Sequence, residues 1–310
     1  MSFEKIIGND DNKKLLENTV RSNNVLHSYL FFGTEGIGKK IFAKEFSKMI
    51  LCNSKDEKPC NKCKSCIEID SNNNPDFFVI EPDGGSIKIE QIRQMQKSIL
   101  EKPIESNKKV YIINDAETMT KEAQNCMLKT LEEPQDFIVI ILIASNENNI
   151  LPTVKSRCTK IFFRNLDDAD IIKYVNEKNS GIDINKDILK LCNGSILKAE
   201  FVIQKIDILD KIKDFVMNID KQNELVFFQN NQLFYDNKDD IILLLEYVNI
   251  LLFEKIKGNL GNINGFINSM KIVESTKLKL INSNNYDMTI DNMLLKMWEE
   301  INEKNYRGYI

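Results

Sequence analysis

Two groups of residues in this chain have the types and spacing to do chemistry. The first is Gly33-Thr34-Glu35-Gly36-Ile37-Gly38-Lys39-Lys40, which follows G-x-x-x-x-G-K up to its last position. In such a loop, glycines let backbone N–H groups approach phosphate oxygens, and the following helix N-terminus adds positive partial charge. Gly33, Gly36, Gly38 and Lys39 are the candidate cofactor-binding residues, with Lys39 as a point charge on phosphate. The final position ordinarily carries a Ser or Thr hydroxyl that holds Mg²⁺. Lys40 stands there instead. A lysine cannot coordinate a cation, and it brings a second positive charge to the metal position. The sequence therefore advertises a nucleotide-binding fold without supporting ATP/Mg²⁺-dependent hydrolysis.

The second group is a cysteine cluster. Four of the seven cysteines, Cys52, Cys60, Cys63 and Cys66, fall within fifteen residues, and the last three read C-x₂-C-x₂-C. Four thiolates at this spacing satisfy a tetrahedral Zn²⁺ with no open position, so the expected site is structural. Residues 53 to 64 are rich in Lys and Asn and too poor in apolar side chains to build a core, so metal ligation would supply their folding energy. An iron–sulfur cluster is the chemical alternative. A disulfide framework is not expected, because no signal peptide is visible and the chain reads as intracellular. Cys126, Cys158 and Cys192 have no close cysteine partners in sequence and are expected to be small buried hydrophobes. A catalytic cysteine would need a nearby base, and the chain has one histidine, His27, expected to be structural.

Two further segments bear on phosphate chemistry. Lys109-Val110-Tyr111-Ile112-Ile113 reads as a buried strand that ends at Asn114-Asp115-Ala116-Glu117. ATP-hydrolysing loops of this kind place an Asp at that strand end to help hold Mg²⁺. Here the position is Asn114, a neutral and weaker ligand for a hard cation. A one-residue shift would make Asp115 the metal carboxylate, and a damaged loop that still hydrolyses ATP slowly stays open. Ser156-Arg157-Cys158 follows the strand Phe137 to Ala144 and a short polar stretch. An arginine on a rigid turn, with a planar fork of donors, can stabilise phosphoryl transfer in a neighbouring subunit.

Together these residues make the chain resemble the bacterial DNA polymerase III clamp-loader delta-prime subunits, within the AAA+ family. The matching segments are His27-Ser28-Tyr29-Leu30-Phe31-Phe32-Gly33, Asn125-Cys126-Met127-Leu128-Lys129-Thr130-Leu131-Glu132-Glu133-Pro134 and Ser156-Arg157-Cys158, with the cysteine cluster. They cover roughly the first 200 residues. The resemblance implies a subunit that does not hydrolyse ATP itself and offers Arg157, with Ser156 and Cys158 of its motif, in trans. It implies a zinc module and a C-terminal helical collar joining five subunits in a ring. The implied partners are delta and gamma/tau type subunits, the sliding clamp indirectly, and primer-template DNA within the assembly. Gly194-Ser195-Ile196-Leu197-Lys198-Ala199 resembles the sensor-2 segment, with Leu197 where an active ATPase carries Arg; Lys198 is a partial substitute. An active motor subunit of the same machine and a zinc-containing nucleic-acid-binding module remain the competing readings.

The elements that must position these residues follow from the pattern. Continuous β-branched or aromatic runs at 29–33, 77–81, 109–115, 137–144 and 160–163 are expected strands of a parallel sheet covered on both faces. Helices are expected at Ile41 to Leu51, Ile87 to Leu100 and Thr120 to Leu131, with Thr120 as N-cap. This alternation predicts an α/β doubly wound domain over residues 1–164, with the zinc module at about 52–70. From Leu166 the strands stop. Asp167-Asp168-Ala169-Asp170 reads as an acidic helix start, and stripes at 184–191 and 196–203 complete a small helical lid over 165–205. Residues 206–310 are expected to be all-α, with helices at 241–253, 265–281 and 288–301 and an Asn-rich break at 282–285. The expected fold class is α/β plus all-α.

Composition sets the bounds. With 42% hydrophobic and 28% charged residues the chain suits a globular protein of two or three domains. A net charge of −4 argues against strong autonomous DNA binding. No run of eighteen apolar residues is present, so no membrane partner is expected. The resemblance places the chain in the cytoplasm, at the replisome.

Overall fold

The computed structural model describes all residues except 1–2, 4–5, 55–56, 180–183, 223, 259–261, 283–284 and 307–310. Parts of the expected zinc segment and of the Asn-rich break, residues 55–56 and 283–284, therefore lie outside the described residues. The chain divides into two compact units, one of residues 1–170 with 194–197 and one of 171–193 with 198–310.

The first unit is a five-stranded parallel sheet. Its strands are β1 (Ser28–Phe32), β2 (Phe77–Ile80), β3 (Lys109–Ile113), β4 (Ile138–Ala144) and β5 (Thr159–Phe162), in spatial order β2-β3-β4-β1-β5. The helices between them are α1 (Asp10–Arg21), α2 (Lys39–Leu51), α3 (Lys64–Asp70), α4 (Ile89–Ile99), α5 (Lys121–Glu132) and the short α6 (Pro152–Lys155).

The strands show why their sequence runs are continuously apolar. Successive side chains of a strand point to opposite faces, and both faces are covered. Tyr29 and Phe31 of β1, Val110 and Ile112 of β3, and Val139, Ile141 and Ile143 of β4 join one core cluster with Phe42, Ala43, Phe46 and Met49 of α2. Leu30, Tyr111, Ile113, Ile138, Ile140 and Leu142 join the other, with Ile92, Met95 and Ile99 of α4 and Ala123, Met127 and Leu131 of α5. Phe31, Phe42 and Phe163 form an aromatic knot, with ring centroids 5.1 Å and 4.9 Å from Phe163. Thr120 caps α5 as its residue type predicts: its hydroxyl accepts the Ala123 N–H at 3.2 Å.

The edge strand β5 is guarded by α1. Asn12 Nδ2 donates to Phe162 O at 2.9 Å, and Asn9 exchanges two hydrogen bonds with the Arg164 backbone at 3.0 and 2.9 Å. These side chains satisfy edge groups that would otherwise invite another strand.

The second unit is helical. Among the described residues it contains α7 (Asp168–Lys178), α8 (Lys186–Cys192), α9 (Ile196–Met217), α10 (Glu224–Gln229), α11 (Asn231–Tyr235), α12 (Ile241–Lys257), α13 (Ile263–Asn282) and α14 (Tyr286–Tyr306), with α7 and α9 beginning in the first unit. Helix α9 runs across residue 205, where Lys205 leaves helical geometry with φ −119°. The unit is held by apolar burial and by one notable buried charge. Lys255 is 2% exposed and spends its ammonium on Asp220 Oδ1 at 2.6 Å and Met217 O at 2.9 Å. A buried lysine is tolerable only when paired in this way.

Candidate functional site

The phosphate loop lies where the expected strand–loop–helix context puts it, between β1 and α2. The carboxyl ends of β1, β3 and β4 lead into Gly33, Asn114 and Ser145, the end of a parallel sheet at which ligands bind. Two glycines are required by close approach as well as by backbone angle. Gly33 has φ +153°, and a Cβ there would meet Phe163 O at 2.3 Å. Gly36 has φ +77°, and a Cβ there would meet Ser195 Oγ at 2.3 Å and Leu197 Cβ at 2.5 Å. Gly38, at φ +91°, precedes α2 as its N-cap.

Lys39 is turned onto its own loop. Its ammonium donates to Gly33 O at 2.6 Å, Thr34 O at 2.7 Å and Ser145 Oγ at 3.2 Å, and the residue is 5% exposed. Burial lowers its pKa, while Glu117, Glu35 and Asp115 pull it back up. Lys40 takes a different course. Its ammonium forms an ion pair with Glu81, the residue after β2, and both side chains are about half exposed. The strand end after β3 is built as Asn114 Nδ2 donating to Asp115 Oδ2 at 3.0 Å, with Asp115 in the left-handed region at φ 49°. Burial, then Glu117 and Glu35, hold the Asp115 carboxyl above its usual range, against Lys39 and Lys40. Glu117 Oε1 accepts the Ser145 N–H at 2.7 Å and the Asn146 N–H at 3.3 Å, tying the β3 and β4 ends together.

The segment around Leu197 is in contact with the loop. Ile196 N–H and Leu197 N–H donate to Gly36 O at 2.9 and 3.3 Å, so backbone bonds tie the start of α9 to the loop. The Leu197 side chain is 53% exposed and supplies no charge. Lys198, the other basic candidate there, pairs with Glu246 at 2.7 Å.

Arg157 follows α6 on a turn fixed from both sides. Ser28 Oγ donates to Arg157 O at 2.6 Å, and Arg157 N–H reaches Val154 O at 3.1 Å. The guanidinium donates through Nη1 to Thr153 O at 2.8 Å and lies 3.4 Å from Ser156 Oγ. Its Nη2 is 2.6 Å from Glu132 Oε1. Ser156 Oγ donates to Thr153 O at 3.1 Å. Burial pushes the Cys158 thiol up to about 11, so it is not a thiolate nucleophile at neutral pH.

The four cysteines come together. Their sulfur atoms all lie within 4.8 Å of one another, and Cys52 Sγ is 3.9 Å from Cys63 Sγ. A tetrahedral Zn–S₄ centre with bonds near 2.3 Å places its sulfurs ~3.8 Å apart, so the set fits a metal such as zinc. Backbone amides also point at the sulfurs: Cys60 N–H at 3.3 Å from Cys52 Sγ, and Cys63 N–H at 3.2 Å from Cys60 Sγ. Such donors stabilise thiolate charge and orient the ligands. None of the seven cysteines forms a disulfide.

One sequence expectation is corrected. Of the three cysteines outside the cluster only Cys192 is fully buried; Cys126 and Cys158 are half-buried. Cys126 has a polar partner, since its Sγ donates to Gln96 Oε1 at 3.3 Å. The Gln96 partner comes from α4, thirty positions away, which a reading of local sequence could not supply. Sequence reasoning also missed Glu81, Glu117 and Glu132 as partners of site residues. Glu132 stood in the quoted Leu131-Glu132-Glu133-Pro134 segment, but nothing local links it to Arg157.

The chain is similar in sequence and in fold to known proteins. Residues 8–167 match the family described as "DNA polymerase III, delta subunit". The chain is 39% identical over 153 residues to DNA polymerase III subunit delta′ of Bacillus subtilis, an alignment covering 49% of this chain and 46% of that protein. It is 30% identical over 218 residues to subunit gamma/tau of Mycoplasma pneumoniae, covering 69% of this chain and 31% of the relative. The chain thus spans half or less of the length of these relatives. A solved gamma subunit-related protein from Thermotoga maritima superposes with a TM-score of 0.52 at 18% identity, covering 92% of this chain and 99% of that one, a likeness of fold alone. The family match spans just over half of the residues and takes in the phosphate loop, the cysteine cluster and the Ser156-Arg157-Cys158 turn: the chain belongs to the DNA polymerase III delta′ subunit family.

Proposed function

We propose that this chain is a delta′-type clamp-loader subunit of DNA polymerase III that does not hydrolyse ATP itself. It acts as a scaffold in loading a sliding clamp onto primed DNA, and it offers Arg157 to ATP bound by a neighbouring subunit. The observation that carries the reading is Lys40. The loop's metal-binding hydroxyl is replaced by an ammonium engaged with Glu81, and the strand-end carboxylate is replaced by Asn114. Without these two oxygens a P-loop lacks its usual hold on Mg²⁺. Arg157, by contrast, sits on a fixed turn with its side chain about one-third exposed, available to a phosphate outside its own loop.

In this reading the four cysteines hold one structural Zn²⁺, which supplies folding energy to residues 52–70 and takes no part in phosphate chemistry. Residues 165–205 are a lid, and the helices beyond are a collar that meets delta and gamma/tau type subunits in a five-membered ring in the cytoplasm. Co-purification with those subunits, followed by ATPase assay of the assembly with and without this chain, tests the reading. The expected result is stable co-purification and turnover that depends on the chain without originating in it.

A second reading has one observation in its favour. Gamma/tau relatives align over more of the chain than delta′ relatives do, 69% against 49%. An active motor subunit would hydrolyse ATP in isolation, so the Mg²⁺-dependent turnover of the purified chain separates the two.

A further inference from the structure

We propose that Glu132 is an exchangeable counter-ion: it occupies the Arg157 guanidinium in the free subunit and yields it to a phosphoryl oxygen of a neighbour's ATP. The inference rests on the reading of Arg157 as a residue acting in trans.

The backbone of Arg157 cannot wander. Its carbonyl is held by Ser28 at the start of β1, and its N–H by Val154. Only the side chain can adjust. Two of its contacts, Thr153 O and Ser156 Oγ, are neutral acceptors from its own turn and engage Nη1. The remaining one is charged: Glu132 Oε1, 2.6 Å from Nη2. A carboxylate and a phosphoryl group offer a guanidinium the same target, negatively charged oxygens that accept its planar fork. Glu132 therefore stands in for the group that Arg157 is read as meeting.

Exchange is cheap at this site. The side chains of Arg157 and Glu132 are 34% and 49% exposed, so water can solvate both as they separate. Ion pairs this open contribute little to stability. Exchange is also required for full effect. With a carboxylate against Nη2, the field of the guanidinium on a third group is largely cancelled. The placement of the acid has no local reason. Glu132 is the last residue of α5, and a carboxylate at a helix C-terminus opposes the macrodipole. What it gains there is Arg157, twenty-five positions on in sequence.

The test is ATP turnover by the reconstituted assembly, without clamp or DNA, carrying the native chain, Glu132→Gln, Arg157→Ala or both changes. Removing the charge while keeping the shape is expected to raise turnover about two- to fivefold, the range set by losing one half-exposed ion pair. The rise is expected to vanish when Arg157 is also replaced. Turnover unchanged or lowered by Glu132→Gln, in an assembly that Arg157→Ala slows, overturns the exchange and leaves Arg157 acting in trans. No effect of Arg157→Ala overturns the parent reading, and the exchange with it. If the Gln chain does not assemble, Glu132→Asp, which keeps the charge on a shorter arm, is compared in its place and is expected to show a smaller rise. Failure of both to assemble also overturns the exchange, making Glu132 an assembly residue.

Discussion

Lys40 and Glu81 form an ion pair across 41 positions of sequence, joining the last residue of the phosphate-loop motif to the end of β2. In the proposed reading this pair stands where an ATP-hydrolysing loop would place a metal ligand. The purified chain is therefore expected to show no Mg²⁺-dependent ATP turnover above background. Lys40→Thr restores a hydroxyl but leaves Asn114 and Leu197, so it is not expected to rescue activity. Turnover of the native chain comparable to ordinary P-loop ATPases would contradict this.

How far the sequence could be read depends on the range of the interactions. The strands were legible because burial on both faces leaves a run such as Ile138 to Ala144 with no polar residue, and the five observed strands lie within a residue or two of the expected ones. The cysteine cluster was legible because its ligands are close in sequence. Helix α1 was not singled out: of its twelve residues only Leu16 is buried, so its apolar stripe is thin. Its acidic first turn, Asp10 and Asp11, was the available signal. The partners of Lys40, Arg157 and Cys126 were illegible for another reason. Glu81, Glu132 and Gln96 meet them only after helices and strands from distant segments have packed.

One zinc per chain is expected by elemental analysis, bound by Cys52, Cys60, Cys63 and Cys66. The spacing of the sulfurs suits a tetrahedral site, and the thiolate set leaves no open position. Visible absorption of the iron–sulfur type would count against it. Cys63→Ser is expected to expose residues 52–70 to limited proteolysis while the sheet survives. The clusters that cover its two faces are apolar and include only Leu51 and Ile69 from the borders of that segment.

Asp76 is expected to be a strong determinant of stability although it carries no chemistry. It is 0% exposed, and its carboxylate accepts the N–H groups of Ile104, Glu105 and Ser106, each at 2.8 Å. The same turn is tied to the end of α2 through Ser106 Oγ and Leu51 O, and to α3 through the Lys64–Glu105 ion pair. Asp76→Ala removes the one acceptor shared by three part-buried N–H donors and is expected to cost about 1–3 kcal/mol, read from urea unfolding. Asp76→Asn keeps one acceptor oxygen and should lose less. A loss within error of zero for the alanine variant would mean that water replaces the carboxylate.

Arg157→Ala is expected to act outside its own subunit. Its own loop carries Lys40 at the position of the usual metal-binding hydroxyl, and Lys39 there is folded onto Gly33 O and Thr34 O. In the reconstituted assembly the substitution should lower ATP turnover and clamp loading without affecting co-purification. The lost interaction is with charge developing on the transferred phosphoryl group, an effect that reaches roughly 10³-fold at a single site. A ring with several sites should lose less in total, because only the site facing this chain is affected. Assembly should be insensitive, since the backbone contacts that fix the turn, Ser28 Oγ to Arg157 O and Arg157 N–H to Val154 O, survive the change. Unaltered loading rates would remove Arg157 from the reaction. Loss of the complex altogether would make it a structural residue of the subunit interface, and the phosphate chemistry of the neighbour would then have to draw its arginine from elsewhere.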